Sequence, residues 1–417
     1  MSSSVPLRRN RAYQGVFWSQ AFTDFCEQFL IVAIVWATLH QYGGARMGIV
    51  MAAWAVPRGL LMLFGGVLVD RLDRRRLAIT VGASLAVLSV AAALVTRAEI
   101  YGLWILVAVG LGVLDALRLP VAASILPQIV ARDQLVDANR WASLREWAAL
   151  AGAPAVGGVL VAIAGAGGTM VITAVLYLAS VGLMLLAPPL PRPAGEPRAH
   201  VLADLRDGLM FVVRHRGLRI LLVTFAVANL FILGLLGVAI PVFAKDVLNA
   251  GPQGLGFLSA SFGVGLVLGT LVCTRLPGSW QRSQSMALVL FGVSDLLLAA
   301  VGLAPNLALA CTFHLASGLA AGPAATFYRA LLQTLPPENY LGRVNSIARA
   351  MSFGLEPVST AGVGALSTRV SASALLLAGG AAAACADLAG AVLSRLTGVE
   401  PAAAPEPAIV TPGEKKT

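Results

Sequence analysis

Twelve apolar runs of 20 to 28 residues leave this chain one kind of solvent in which to fold. They cover 14–40, 47–69, 77–96, 101–128, 142–164, 168–188, 219–244, 254–275, 284–303, 305–328, 343–367 and 373–395. A helix rising 1.5 Å per residue needs about 20 residues to cross some 30 Å of hydrocarbon. In that medium every backbone amide must be satisfied within the protein, so each run is a helix or part of a closed barrel. The runs are continuous rather than alternating, which selects helices. Charged residues make up 12% of the 417, about half of what a soluble chain carries. The expected fold class is an all-α membrane protein with twelve transmembrane helices.

Short turns join most of the runs. One longer polar segment, 189–218, separates the sixth from the seventh, and the tail 397–417 is rich in Pro, Ala and charge, a composition that favours disorder. Of the 30 basic residues, 24 fall on the side of the termini and four on the other: Arg46, Arg97, Lys245 and Arg369. Arg58 and Arg118 fall inside runs. That asymmetry places both termini in the cytoplasm. The formal charge of +10 does not point to nucleic acid, because the basic residues sit in short loops between apolar runs.

An internal repeat relates the two halves. "LVDANRWASLREW" (135–147) aligns with "LGRVNSIARAMSF" (341–353) at an offset of 206. "MGIVMAA" (47–53) resembles "LGFLSAS" (255–261) at an offset of 208. Each pair joins equivalent runs, as expected of parallel repeats. The organisation read from this is an N-terminal six-helix bundle over 1–188, a cytoplasmic linker over 189–218, a C-terminal six-helix bundle over 219–396 and a tail over 397–417. Within the linker, Leu205, Leu209, Val212 and Val213 form an apolar stripe beside arginines. A helix from 202 to 220 lying on the membrane surface, or a solvated linker helix, would read this way. Cys26, Cys273, Cys311 and Cys385 lie within apolar runs without a C-x-x-C pair, so neither a disulfide nor a metal site is expected.

The stretch "GGVLVDRLDRRR" (65–76) is similar to the loop 2–3 signature of the major facilitator superfamily, G-x-L-x-D-R-x-x-R-R, here Gly66, Leu68, Asp70, Arg71, Arg74 and Arg75. "LPVAASILPQIV", "LVDANRW", "GAPAVGG", "LRDGLMFVVRH" and "LGRVN" also fit, and together resemble the branch of enterobactin-exporter-like and macrolide-efflux-like proteins. The resemblance implies two six-helix bundles and a cytoplasmic gate in which Asp70 meets arginine and the start of the eleventh helix, with Arg343 of "LGRVN" beside it. A carboxylate near a helix N-terminus gains about 0.3–1 kcal/mol from the macrodipole. Arg71, Arg74 and Arg75 would latch onto other cytoplasmic helix ends. "GAPAVGG" (152–158) resembles the antiporter signature of the fifth helix, with Ala153 in place of its first glycine and Pro154, Gly157 and Gly158 matching. Close packing by small residues would also explain it, as it would Gly263, Gly265 and Gly269.

A charge in mid-bilayer costs about 2.5–3.5 kcal/mol even on the insertion scale, so charged side chains there are candidates for function. Gln20, Thr23, Asp24 and Glu27 make one polar stripe on the first helix. At 1.5 Å per residue, Glu27, Arg58, Asp115, Arg118 and Glu356 fall in one layer, about 15–20 Å from the cytoplasmic helix ends. Two acids one turn apart repel each other and lose hydration on burial, which suits them to take up and release a proton; a static buried ion pair is the other reading. Phe22 and Phe25 flank the stripe and could touch an aromatic substrate. Asp295 and Asp387, in helices peripheral in the family, and His314 read as packing residues.

These features predict a secondary transporter of the bacterial inner membrane, working as a monomer by alternating access and exporting an amphipathic small molecule in exchange for protons. A drug, a siderophore or another secondary metabolite would fit. An importer or a lysolipid flippase of the same fold, and a non-transporting sensor or scaffold, are the alternatives. No nucleophile–base set, cofactor motif or metal cluster suggests an enzyme.

Overall fold

The computed structural model describes residues 6–71, 73–131, 134–186, 201–273, 275, 283–337 and 340–398; the side chains of 62–71, 119, 120, 122–124, 127, 136, 186 and 201–205 lie outside the description. Every long element among the described residues is a helix, and nine are long and apolar enough to cross a membrane. Two of these are double. Arg11–Arg71 is broken at Gly43 (φ 78°, ψ 174°) into α1 (11–42) and α2 (44–71), and Leu135–Leu186 is broken at Gly165 (φ 71°, ψ 167°) into α5 (135–164) and α6 (166–186). Only glycine takes up this left-handed backbone without steric cost. Glu27 and Trp54, on either side of Gly43, both contact the Asp115–Arg118 turn, so the chain reverses at the break. Loops were expected at 41–46 and 165–167; a single residue makes each turn.

Between these lie α3 (Arg74–Ala98) and α4 (Tyr101–Ile129). The linker helix α7 (Val201–Arg214) is followed by α8 (Arg216–Val247), α9 (Gly251–Cys273), α10 (Gln284–Val301) and α11 (Leu307–Thr334). Then come α12, in two parts (Leu341–Gly354 and Glu356–Leu366), and α13 (Ala372–Leu396). The unbroken run expected at 343–367 is thus interrupted. The proline ring of Pro357 lacks an N–H and would clash with the carbonyl four residues earlier, that of Phe353, so the helix breaks and restarts. The break puts Glu356 in the first turn of the second part, where the macrodipole favours a carboxylate. α8 accommodates Pro241 between two wide π-helical turns, Leu235–Ala239 and Phe243–Val247.

Contacts define two ends. At the end away from the termini, Gln41 donates to the carbonyl of Thr96 (2.9 Å), Tyr101 to that of Arg46 (3.0 Å) and Lys245 to that of Leu39 (3.4 Å). At the termini end, Asn10 donates to the carbonyl of Ile129 (3.0 Å). One apolar core lies among α1–α6, around Leu30, Trp104, Leu111 and Tyr177. Another, around Leu221, Leu288, Phe327 and Leu331, lies among α8, α10 and α11. A third joins the halves at the far end, where Val35, Leu39 and Met47 pack with Leu235, Val238, Phe243 and Leu258.

The expected helix at 202–220 ends at Arg214, because His215 caps the next helix by accepting from the Leu218 N–H (3.3 Å). α7 docks on α12. Phe211 stacks on Tyr340 with ring centroids 4.3 Å apart, Asp207 pairs with Arg343 at 3.6 Å, and Val212 joins the core containing Ile347. The predicted stripe is therefore divided: Val212 is buried, while Leu209 and Val213 are exposed. The side chain of Leu205 lies outside the described residues.

Candidate functional site

Two guanidiniums organise the buried charges of the first half. Arg118 on α4 pairs with Glu27 and approaches Asp24 at 3.4 Å and Asp115 at 3.5 Å. Arg145 on α5 donates from Nε to Asp24 Oδ2 (2.8 Å) and from Nη1 to Gln20 Oε1 (2.6 Å). Gln20, Asp24 and Glu27 are thus gathered as i, i+4 and i+7 of one helix face. Thr23 turns elsewhere: with Ser19 it hydrogen-bonds Ser180 of α6 (2.9 and 3.0 Å). Asp24, Glu27 and Asp115 surround Arg118 and Arg145, and the more exposed Glu146 also reaches Arg145 at 3.4 Å, so carboxylates outnumber guanidiniums in the group.

Arg145, the fourth residue of the apolar run 142–164, is counted in the sequence with the basic residues on the side of the termini. In the structure it is 8% exposed. α5 begins at Leu135, seven residues before the apolar run, and carries Arg145 almost three turns in. A basic residue close behind a helix start was the signal that the apolar run concealed.

The five charges expected in one layer form two groups. The second is an ion pair between the halves, Arg58 of α2 with Glu356 of α12, and Arg58 also lies over the Phe353 ring at 5.2 Å. α2 connects the groups, since Trp54, one turn before Arg58, donates to Asp115 Oδ2 (2.9 Å). Trp54, Arg58, Glu356 and Thr360 line a cavity of ≈ 170 Å³ between the halves, whose other walls include Val32, Val35, Leu236 and Leu255. Gln20, Thr23, Asp24 and Arg118 face a smaller space of ≈ 50 Å³ enclosed by α1, α3, α4 and α6. α1 turns its polar face toward α4 and α5, so its contribution to the larger cavity comes further along, from Ile31, Val32 and Val35. Phe25 packs edge-on against Phe29 at 6.2 Å, and Phe22 is half-buried; neither lines that cavity.

The side chains of Gly66, Asp70 and Arg71 lie outside the described residues. Of the other expected gate residues, Arg75 donates to the carbonyls of Met184 (3.3 Å) and Leu185 (2.7 Å) at the end of α6, a favourable place for a cation. Arg74 opens α3, behind the cap that Asp73 provides by accepting from the Arg76 N–H (3.0 Å). Arg343 holds Asp207 of α7. In α5, Pro154, Gly157 and Gly158 meet neighbouring helices directly. A Cβ on Gly158 would stand 2.5 Å from the Pro252 carbonyl oxygen and 2.9 Å from Gly256 Cα, and one on Gly256 would stand 2.5 Å from the Pro154 oxygen. Gly157 faces Phe29 in the same manner. His314 directs Nδ1 at the Leu258 carbonyl (2.9 Å), a packing role.

Comparison with known proteins agrees with this architecture. The model of the family described as transmembrane secretion effector (MFS_3) matches residues 1–410. The multidrug efflux pump Tap of Mycolicibacterium fortuitum is 27% identical over 365 residues, covering 84% of this chain and 87% of Tap. The enterobactin exporter EntS of Shigella dysenteriae is 26% identical over 386 residues, covering 88% of each chain. Among solved structures, a point mutant of the nucleoside transporter NupG superimposes with a TM-score of 0.71 at 14% identity, covering 92% of this chain and all of NupG. An inward-facing bacterial homologue of the human lysosomal transporter Spinster gives 0.65 at 15% identity, covering 93% and 95%. At such identities these two likenesses bear on the fold alone.

Proposed function

From a chain that belongs to the transmembrane secretion effectors, a family of major facilitator superfamily transporters, we propose proton-coupled export of an amphipathic small molecule. The observation that carries this reading is the buried first-half group, in which carboxylates outnumber guanidiniums, connected through Trp54 and Arg58 to the cavity between the halves. A proton taken up at Glu27 or Asp24 weakens that carboxylate's hold on Arg118. The change passes along α2 to the Arg58–Glu356 bridge, and breaking the bridge lets the halves rock around the cavity. The cavity walls suit the cargo: mostly apolar, with one ion pair and a tryptophan. The efflux and siderophore-export functions named for Tap and EntS support export over import.

The reading includes two six-helix units, 1–188 and 219–396, in a bacterial inner membrane with both termini in the cytoplasm, acting as a monomer. Asp70, Arg71, Arg74, Arg75 and Arg343 form the cytoplasmic gate in this scheme. A proton motive force of about 150 mV supplies about 3.5 kcal/mol per proton, enough to sustain roughly a 300-fold gradient of a neutral cargo. The test is transport of ethidium, used as an amphipathic probe, by proteoliposomes holding the full chain. Export driven by a pH gradient is expected from the wild type and lost in Glu27→Gln, while ethidium counterflow without a gradient persists. Undiminished pH-driven export by Glu27→Gln removes that carboxylate from the coupling.

A further inference from the structure

The second half buries a pair of acids that the scheme above does not use. Asp295 of α10 and Asp387 of α13 are 6% and 1% exposed. Their carboxyl groups act on each other from facing helices on the wall of one cavity. Asp295 Oδ2 and Asp387 Oδ1 are buried and have no donor among the described residues. An ionised carboxylate only accepts, so a hydrogen bond between two carboxyl groups requires a proton on one of them. No arginine or lysine among the described residues acts on either acid.

Both line a cavity of ≈ 170 Å³, separate from the one between the halves and enclosed by α8, α9, α10, α11 and α13. Asn229, Ser294 and Ser317 add polar atoms to its wall, and the two serine hydroxyls bond each other at 3.0 Å. The volume admits several waters at about 30 Å³ each. On α11, His314 lies one turn before Ser317 and contacts the wall residue Phe262, and Tyr328 stacks on the wall residue Phe225. α8 and α9 line the cavity with no ionisable group.

We infer that Asp295 and Asp387 form a proton-binding dyad, in which one carboxyl carries the proton and donates it to the other carboxylate, with water in the cavity as the exchange partner. The dyad stands whether or not Glu27 couples export to protons.

Infrared difference spectroscopy of the purified full chain in nanodiscs, recorded between two pH values, tests it. The wild type should show the C=O stretch of a protonated, buried carboxyl, and labelling aspartate with carbon-13 at the side-chain carboxyl should shift that band. The band should shift in Asp387→Asn, vanish in the Asp295→Asn/Asp387→Asn double variant, persist in Glu27→Gln, and be indifferent to exchanging potassium for sodium. A wild type without such a band, a band unmoved by the aspartate label, or a band that survives in the folded double variant overturns the dyad. A band abolished by sodium overturns it in favour of a metal-cation site. The isotope shift is read on the wild type and holds even if a variant fails to fold.

Discussion

Both halves of the molecule bury carboxylates beside a cavity within their own helices, and they treat the charge differently. Around the ≈ 50 Å³ space of α1, α3, α4 and α6, three acids share the guanidiniums of Arg118 and Arg145. Around the ≈ 170 Å³ space of the second half, Asp295 and Asp387 face each other with no basic side chain acting on them among the described residues. A fixed cation ties helices together, so altering its partners loosens the bundle. A shared proton joins only α10 and α13, through the two acids, and its loss leaves two carboxylates that repel each other. The first arrangement is suited to drive motion and the second to register protons in place.

Substitutions can break this contrast, beginning with the largest effect. Arg118→Met leaves Glu27 without its ion-pair partner, and Asp24 and Asp115 with Arg145 and Trp54 alone, and should cost about 3–5 kcal/mol, the range for removing one partner of a buried ion pair. Loss of folded protein in a thermal-unfolding assay would show it, and adding Glu27→Gln should recover part of the loss. Arg145→Met removes charge-assisted bonds to Asp24 and Gln20 and should cost about 1.5–3 kcal/mol in the same assay. Arg58→Gln leaves the core of each half intact and frees the bridge between them. Distance distributions between spin labels on the two halves should shift population about tenfold, or about 1.4 kcal/mol. Asp387→Asn removes one of two like groups and supplies a donor, so the melting temperature should hold or rise by a few degrees. Equal losses in Arg118→Met and Asp387→Asn would abolish the distinction between the halves.

The parts of the molecule differed in how far the sequence disclosed them. The helices were legible because length and apolarity alone decide what crosses a bilayer. Asp24, Glu27, Asp115 and Arg118 stood out as charges in the middle of apolar runs, and the structure brings them together. Their partition was not legible, since Arg118 and Arg145 reach α1 across 91 to 125 residues of chain. Arg145 was masked because the polar start of α5 resembles a loop. Phe22 and Phe25 flank the right stripe, yet which way α1 turns it depends on where the two arginines lie, and no local pattern records that. The split of α12 was readable in principle from Pro357, whose missing N–H stands in the middle of an apolar run.

The contact of Gly158 with Gly256 is made by main-chain atoms, with no side chain from either residue between the helices. Mutations that reshape the walls at Val32 or Leu236 therefore leave the atoms of that contact in place. A lineage could vary those wall side chains one at a time while the two helices keep their close fit.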